Sequence, residues 1–352
     1  YWIGYTFPDA TADKTIKEIN DWVAQNEEYF CQTQNASEVG LFWSYRTANT
    51  YGGEIPQSDF TGETIKVKRD YMKSFQGAYE MLQRAHIPFK VVDRLEALGD
   101  VQFLLLPNCA CTSPEDIALL ERYVQDGGNL MVSFETSLYS QEGRRDDFAL
   151  SELLGVHYRG IEEYGAFENY FQIGEEFFPA YTYVMKVEPE TAEVMGYVSE
   201  NTKGSYQPII MSSFPAVCKN KFGAGKVYYF CGNFFQTYFD YKFPKYLSLF
   251  QKIFDSEVER QIILENTPES VEVTLRKKGD TLLIHLINFT SGLKRPIEDL
   301  IPVEGIVLKL PGVKPTSVSC LLGQASPKWQ RKDGFVEITV PRLHEYEVIA
   351  VK

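Results

Sequence analysis

The stretch Val101–Thr136, VQFLLLPNCACTSPEDIALLERYVQDGGNLMVSFET, leaves few folds open. Val101–Leu106 is an unbroken apolar run, the mark of a strand covered on both faces in a parallel sheet. Pro107 ends it. Ser113 then supplies an N-cap hydroxyl, Pro114 suits the first helical position, and Asp116 places an acid in the first turn. Ile117, Leu120 and Val124 give the helix one apolar face. Gly127 and Gly128 stop it, because glycine enters the left-handed region without steric cost, and Leu130–Phe134 is the next buried strand. Two parallel strands need a crossover of this kind, and the handedness rule makes it right-handed. An α/β sheet is therefore expected at the centre of the fold.

The flanking sequence extends that sheet. Val39–Ser44 reads as the first strand, Lys68–Ala85 as a helix with Tyr71, Phe75, Ala78 and Leu82 on one face, and Phe89–Val92 as a strand. Thr47–Thr64, rich in Gly, Ser and Thr, reads as a long loop. Phe148–Leu154 is a short helix. From Tyr158 to Ile210 the helical period gives way to an aromatic-rich β pattern, an antiparallel extension or insertion of the sheet. Lys226–Cys231 is the last strand and Lys242–Phe254 the closing helix. Ahead of all this, Asp13 to about Phe30 has Ile16, Ile19, Val23 and Phe30 near helical spacing and reads as a connector from a preceding domain. Beyond Asp255 the period becomes two: Val271, Val273 and Leu275 alternate with polar residues, Lys277–Asp280 turns, and Leu282, Ile284 and Leu286 return. Strands at Ile306–Leu310, Ser317–Leu321, Phe335–Val340 and Glu345–Val351 complete a small β-sandwich. The expected organisation is a connector over 1–35, an α/β domain over 36–256 and a β-sandwich over 260–352.

Composition narrows the partners. A net charge of −13 on 352 residues disfavours nucleic acid and anionic membranes, both of which select basic surfaces. No apolar run reaches the roughly 18 residues a membrane-spanning helix needs. Six cysteines are scattered without metal-ligand spacing or a dense disulfide framework, which favours a reduced compartment and gives no metal and no cofactor. The first residue is Tyr1, so either processing or a longer parent chain is expected.

Three sets of residues invite chemistry. Cys109 and Cys111 stand between a buried strand and a helix, where a nucleophile can be displayed and a helix N-terminus lowers a thiol pKa. The small flanking residues of a nucleophile elbow are missing, and a thiolate needs a base. His157 is the histidine that follows in the same domain, so buried, inert cysteines are the plainer reading. The second set lies where open α/β sheets bind ligands, beyond the carboxyl ends of the strands: Ser44, Tyr45, Asp93, Asn108, Glu135 and Asn233, able to hold a polar ligand such as a carbohydrate. The third set is aromatic. Tyr228–Phe243 carries Phe234, Phe235, Tyr238, Phe239 and Tyr241 in what reads as a loop, too apolar to sit idle in water and expected to be an interface. Adjacent carboxylates such as Glu162/Glu163 point to opposite faces of a strand and cannot act as a pair.

The order of a connector helix, VGLFWS, LLLPN with SPEDIALLERYVQDGGNLMVS, FGAGKVYYF with its closing helix, and then RKKGDTLLIHLINFT resembles the non-catalytic half of bacterial β-galactosidase-like glycoside hydrolases. What that resemblance implies is a trimerisation domain shaped like a class I glutamine amidotransferase sheet, in the flavodoxin class, that has lost its nucleophile. In that family the catalytic carboxylates lie on a preceding barrel, and no position here inherits them. The expected function is then the assembly and accessory region of a glycoside hydrolase, a homo-oligomer that shapes a neighbouring active site. A cysteine-dependent hydrolase or amidotransferase using Cys109 or Cys111, and a carbohydrate-binding module, are the alternatives.

Overall fold

A computed structural model describes residues 10–58, 64–164, 169–181, 183–201, 208–292, 299–322 and 326–352. The chain divides into two compact units, one of residues 37–261 and one that combines the N-terminal residues up to 36 with 262–352.

The unit 37–261 is built on one nine-stranded sheet. Its strands are β1 (Val39–Phe42), β2 (Lys90–Val92), β3 (Phe103–Leu106), β4 (Asn129–Ser133), β5 (Tyr170–Ile173), β6 (Glu176–Pro179), β7 (Glu193–Ser199), β8 (Met211–Phe222) and β9 (Gly225–Phe230), in the order β6-β5-β7-β8-β9-β4-β3-β1-β2. From β2 to β9 every pair is parallel, and from β9 to β6 every pair is antiparallel. The parallel strands are the continuous apolar runs: all of Phe103–Leu106 is buried, as a strand sandwiched between helices must be. The aromatic residues of the antiparallel half turn inward, with Phe171 stacked between Phe178 and Tyr181 at 4.9 Å from each. Those three rings are buried in the core of this chain.

Among the described residues, five helices of six or more residues serve this sheet, α1 (Tyr45–Thr50), α2 (Tyr71–Arg84), α3 (Pro114–Gln125), α4 (Phe234–Tyr241) and α5 (Pro244–Glu257), and a single short turn of helix at Ser151–Leu154 joins them. α3 starts in a full capping box, Ser113 Oγ accepting from the Asp116 amide while Asp116 accepts from the Ser113 amide. α1 and a hairpin of Glu54–Ser58 with Thr64–Lys68 replace the loop expected over Thr47–Thr64. The larger correction is α4. Phe234, Phe235 and Tyr238 belong to a helix packed on α2, fully buried in their own subunit, so they cannot be the interface residues the sequence suggested. Phe239 is half-buried, and Tyr241 is exposed. Lys242, at φ +53, ends α4 in the left-handed conformation, and Pro244 opens α5, which stands where the closing helix was expected over Lys242–Phe254, so that α4 takes the place of the loop expected before it.

In the other unit, residues 262–352 together with Gln34–Asn35 form two antiparallel sheets. One has five strands in the order Gln34–Asn35, Val271–Lys278, Thr281–Asn288, Tyr346–Val351 and Val318–Cys320. The other has four: Ile263–Glu265, Val303–Pro311, Phe335–Leu343 and Lys328–Lys332. Alternate residues of both, among them Val273, Leu275, Ile284, Ile306, Leu308 and Ile338, meet in one core. The outer face of the five-stranded sheet, at Leu283, Val348 and Ala350, is covered by Tyr29 and Phe30 from the N-terminal segment. His285 is buried there beside Tyr346, and burial pushes its imidazole down to about 4.

The α2–α4 contact depends on a glycine. A Cβ on Gly77 would lie 1.9 Å from the Phe235 carbonyl oxygen. Helix propensity alone predicts that Gly77→Ala stabilises by about 1 kcal/mol. The contact reverses that sign, and overpacking of this kind costs about 1–3 kcal/mol. Urea denaturation of Gly77→Ala at unchanged m-value checks it, and a gain in stability would show that the two helices do not meet this closely.

Candidate functional site

The strand order of the sheet reverses between β1 and β3, so α1 and the segment after β3 part from neighbouring strands in opposite directions. A ligand crevice is expected at such a point, outside the carboxyl ends of the strands. Here the space is filled by side chains. Ser44 caps α1, its Oγ accepting from the Thr47 amide at 3.1 Å. Thr47 Oγ1 in turn accepts from the Cys111 amide at 3.1 Å, stitching α1 to the chain beyond β3. Asn108 sits two residues past β3, at φ +51, a conformation Asn tolerates better than most residues. Its amide donates to Ser133 Oγ at 3.2 Å and its Nδ2 to Tyr51 Oη at 3.3 Å.

Glu135, two residues past β4 and only 2% exposed, is the centre of this arrangement. Arg69 donates to both its oxygens, Nε to Oε2 at 3.0 Å and Nη2 to Oε1 at 3.2 Å. Tyr139 Oη donates to Oε1 at 3.1 Å, and Tyr51 Oη makes a short bond to Oε2. Burial, with the Glu135 charge beside it, holds the Tyr51 phenol well above its ordinary range, so it stays a donor. A carboxylate with four donors has no lone pair left for a substrate proton, so the cluster is a clamp and does not present a base.

Of the residues expected in the crevice, the structure joins Ser44, Asn108 and Glu135 through α1. Asn233 lies apart, accepting from Ser74 Oγ at 3.0 Å and donating to Gln236. Asp93 and Tyr45 are exposed outside the cluster. Three members of the clamp, Tyr51, Arg69 and Tyr139, were not singled out from the sequence. The available signal was Glu135 itself, since a carboxylate at the end of a buried strand must be paired.

Cys109 is fully buried, its Sγ 4.0 Å from Tyr71 Oη, and burial pushes its thiol pKa up. Cys111 Sγ accepts from Thr50 Oγ1 at 3.3 Å, and burial raises it too. Neither thiol has a histidine among its partners in the described residues. His157 is held elsewhere, Nδ1 2.7 Å from Asp147 Oδ2 and Nε2 3.1 Å from Glu190 Oε2. The helix terminus that would activate a thiol is also occupied. Ser113 and Asp116 cap each other, Pro114 has no amide hydrogen, and Glu115 folds back onto its own amide, which lowers its pKa. Beside that terminus lies a cavity of about 490 Å³ lined by Arg46, Thr112, Ser113 and Arg145 among others. Arg145 spends its guanidinium on the Ser137 and Thr112 carbonyl oxygens at 2.8 Å each, and Arg46 lies 3.7 Å from Asp116. Among the described residues no group of three or more His, Cys, Asp or Glu could hold a metal ion, and no helix is long and apolar enough to cross a membrane.

The family model described as the β-galactosidase trimerisation domain matches residues 43–275. No curated protein matches the sequence. Among solved structures, a catalytic mutant of Gan42B, a GH42 β-galactosidase from G. stearothermophilus, is similar with a TM-score of 0.68 at 16% identity, over 98% of this chain and 44% of that one. The α-L-fucosidase isoenzyme 2 from Paenibacillus thiaminolyticus gives 0.67 at 20% identity, over 94% of this chain and 50% of that one. The β-galactosidase from Bacillus circulans sp. alkalophilus gives 0.64 at 16%, over 95% and 44%. At these identities the likeness is one of fold, and the chain spans half or less of each of these proteins.

Two outcomes follow from the closed site. Arg69→Met strands a buried carboxylate and is expected to cost about 3–5 kcal/mol in urea denaturation; a loss below about 1 kcal/mol, the value of an exposed pair, would show that the clamp is not buried in solution. Iodoacetamide at neutral pH is expected to modify the exposed Cys31 and to spare Cys109 and Cys111 in the folded chain. Rapid alkylation of either buried thiol would restore the case for a cysteine nucleophile.

Proposed function

The chain belongs to the β-galactosidase trimerisation domain family, and from that premise we propose that it is the non-catalytic assembly region of a larger glycoside hydrolase. In this reading it brings copies of itself together as a homotrimer and shapes an active site whose catalytic carboxylates lie on another part of the parent chain. The observation that carries it is the family match over more than half of the chain, which then covers less than half of a fold-sharing β-galactosidase. The closed strand ends support it, since a fully donated carboxylate and two buried thiols offer no acid, base or nucleophile.

The finer fold assignment belongs to the same proposal. The parallel strands run β2-β1-β3-β4-β9, the 2-1-3-4-5 order of flavodoxin-like sheets, with the nucleophile corner of an amidotransferase-like domain disarmed at Cys109. The two sheets of 262–352, sharing one core, are a β-sandwich. Residues 1–35 act as the connector from the catalytic part, 36–256 as the assembling domain and 260–352 as the terminal one.

With Phe234, Phe235 and Tyr238 inside the core, the copy-to-copy contact falls to aromatic residues that do reach the surface. Trp43 packs its ring 4.9 Å from Phe75 and 6.0 Å from the exposed Tyr45, and Met72 is exposed one turn before Phe75. We assign this patch to a second copy because the family is a self-assembling one. Sedimentation velocity at micromolar concentration is expected to show a trimer, and the pair Tyr45→Glu with Met72→Glu to weaken assembly by about a hundredfold or more, as removal of a buried contact centre does. A monodisperse monomer of the unaltered chain would overturn the assembly reading. A trimer indifferent to the pair would move the interface elsewhere.

A further inference from the structure

The cavity of about 490 Å³ opens near the reversal of strand order, between α1, the start of α3 and the hairpin Tyr139–Arg144. Open α/β sheets take their ligands at such a point. Thr47 and Cys111 close the space over the strand ends by the bond between them, and their chain neighbours Arg46 and Thr112 line the cavity. Its size falls in the range of about 300–1,000 Å³ that holds small organic ligands. The wall carries guanidinium, hydroxyl, amide and carboxylate groups, and Pro114 is its one apolar residue among the described residues. A polar ligand suits it and an apolar one does not.

Two cations stand in this wall without a committed counter-ion. Arg145 is held by neutral oxygens: the Ser137 and Thr112 carbonyls at 2.8 Å each, Thr112 Oγ1 at 3.3 Å, and the Tyr139 carbonyl. These bonds fix the guanidinium without cancelling its charge, and no carboxylate pairs with it among the described residues. Arg46, about a third exposed, makes no side-chain hydrogen bond among the described residues, and its Nε is shut off from solvent with no partner. The carboxylate beside it, Asp116 at 3.7 Å, accepts from the Ser113 amide instead. Burial raises the Cys111 thiol pKa and both guanidinium charges oppose it, which places the two arginines around one point.

A guanidinium with open donors matches the oxygens of a carboxylate or phosphate in a planar fork. In a chain of net charge −13, two such groups on one cavity mark a place for an anion to enter. The α3 terminus adds nothing to the attraction, because Ser113 and Asp116 cap each other and Pro114 has no amide hydrogen. The remaining lining is of another kind. Glu115 and Glu142 are exposed, Glu115 turned back on its own amide. Gln141 is exposed as well, and its side chain makes no hydrogen bond among the described residues. Amide and carboxylate side chains of this sort accept from and donate to hydroxyl groups.

We infer that the cavity binds a monosaccharide bearing one acidic group, a phosphate or a carboxylate. The acidic group lies on Arg46 and Arg145, and the ring hydroxyls reach Gln141 and Glu142. A bare anion leaves most of the space and both of those side chains unused, and a neutral sugar leaves the two cations uncompensated. The site lies within one copy of the chain and does not depend on the assembly reading.

Isothermal titration of the 352-residue chain with glucose 6-phosphate, glucuronate, inorganic phosphate and glucose tests it. At least one of the two sugar acids is expected to bind with a Kd below about 1 mM, the tighter of them naming the acidic group. Inorganic phosphate and glucose are expected to bind at least about tenfold more weakly. Arg46→Met, which removes no hydrogen bond, is expected to weaken the sugar acid by about tenfold or more at unchanged thermal unfolding. Gln141→Ala should weaken the sugar acid and leave inorganic phosphate as it was. Absence of binding by both sugar acids would overturn the site, as would binding indifferent to Arg46→Met. Inorganic phosphate binding as tightly as glucose 6-phosphate would overturn the sugar. Sedimentation reads assembly separately, so a trimer can stand while the cavity proves empty of function.

Discussion

A carboxylate buried at the end of a strand has to be neutralised where it stands, and Glu135 imposes that requirement on everything above the central sheet. Desolvating a charge costs several kcal/mol, and the cost is met only when donors occupy its lone pairs. The donors come from three separate segments: Tyr51 from the end of α1, Arg69 from the exit of the Glu54–Lys68 hairpin, and Tyr139 from the turn beyond β4. One charge thus fixes three otherwise independent pieces of chain across the point where strand order reverses. The same bonds that hold those pieces leave the carboxylate without a free oxygen. The anchoring of these segments and the saturation of Glu135 by donors are one arrangement.

That coupling explains why part of the molecule was legible in the sequence and part was not. Strand β3 and helix α3 were readable because their signals are local: an apolar run, a proline stop, a cap, a glycine stop. Glu135 could be placed at a strand end by the same reasoning. Its partners could not, because Arg69 and Tyr51 stand 66 and 84 positions away and no spacing rule links them. The segment Thr47–Thr64 looked like a loop from its Gly, Ser and Thr content, whereas its short alternating runs pair into a hairpin whose stability depends on what lies at its base.

Helix α4 shows a different limit. The apolarity of Phe234–Tyr241 says that these side chains avoid water, but it carries no information on whose surface they are buried against. The deciding residue was Gly77 on α2, whose missing side chain lets the Phe235 backbone approach. A glycine in a helix reads as a weak spot when propensity is the measure, and as a contact point only when the partner is known. An interface inferred from apolar content alone therefore mixes core residues with true surface, and burial in the single chain is what separates them.

Charge sets a further condition on how copies of such a chain can meet. Each carries a net −13, so bringing three together concentrates like charge. Screening over about 8 Å at physiological ionic strength removes most of the repulsion between distant surfaces but little of it inside a contact. The contact must therefore be apolar or locally neutral. The Trp43, Tyr45, Met72 and Phe75 patch meets that condition. Lys73, the charged residue next to Met72, already pairs with Asp240 at 2.9 Å, so burying the patch removes aromatic area from water without stranding that charge. Acidic composition is therefore compatible with the proposed self-association, provided that the contact is made through a patch of this kind.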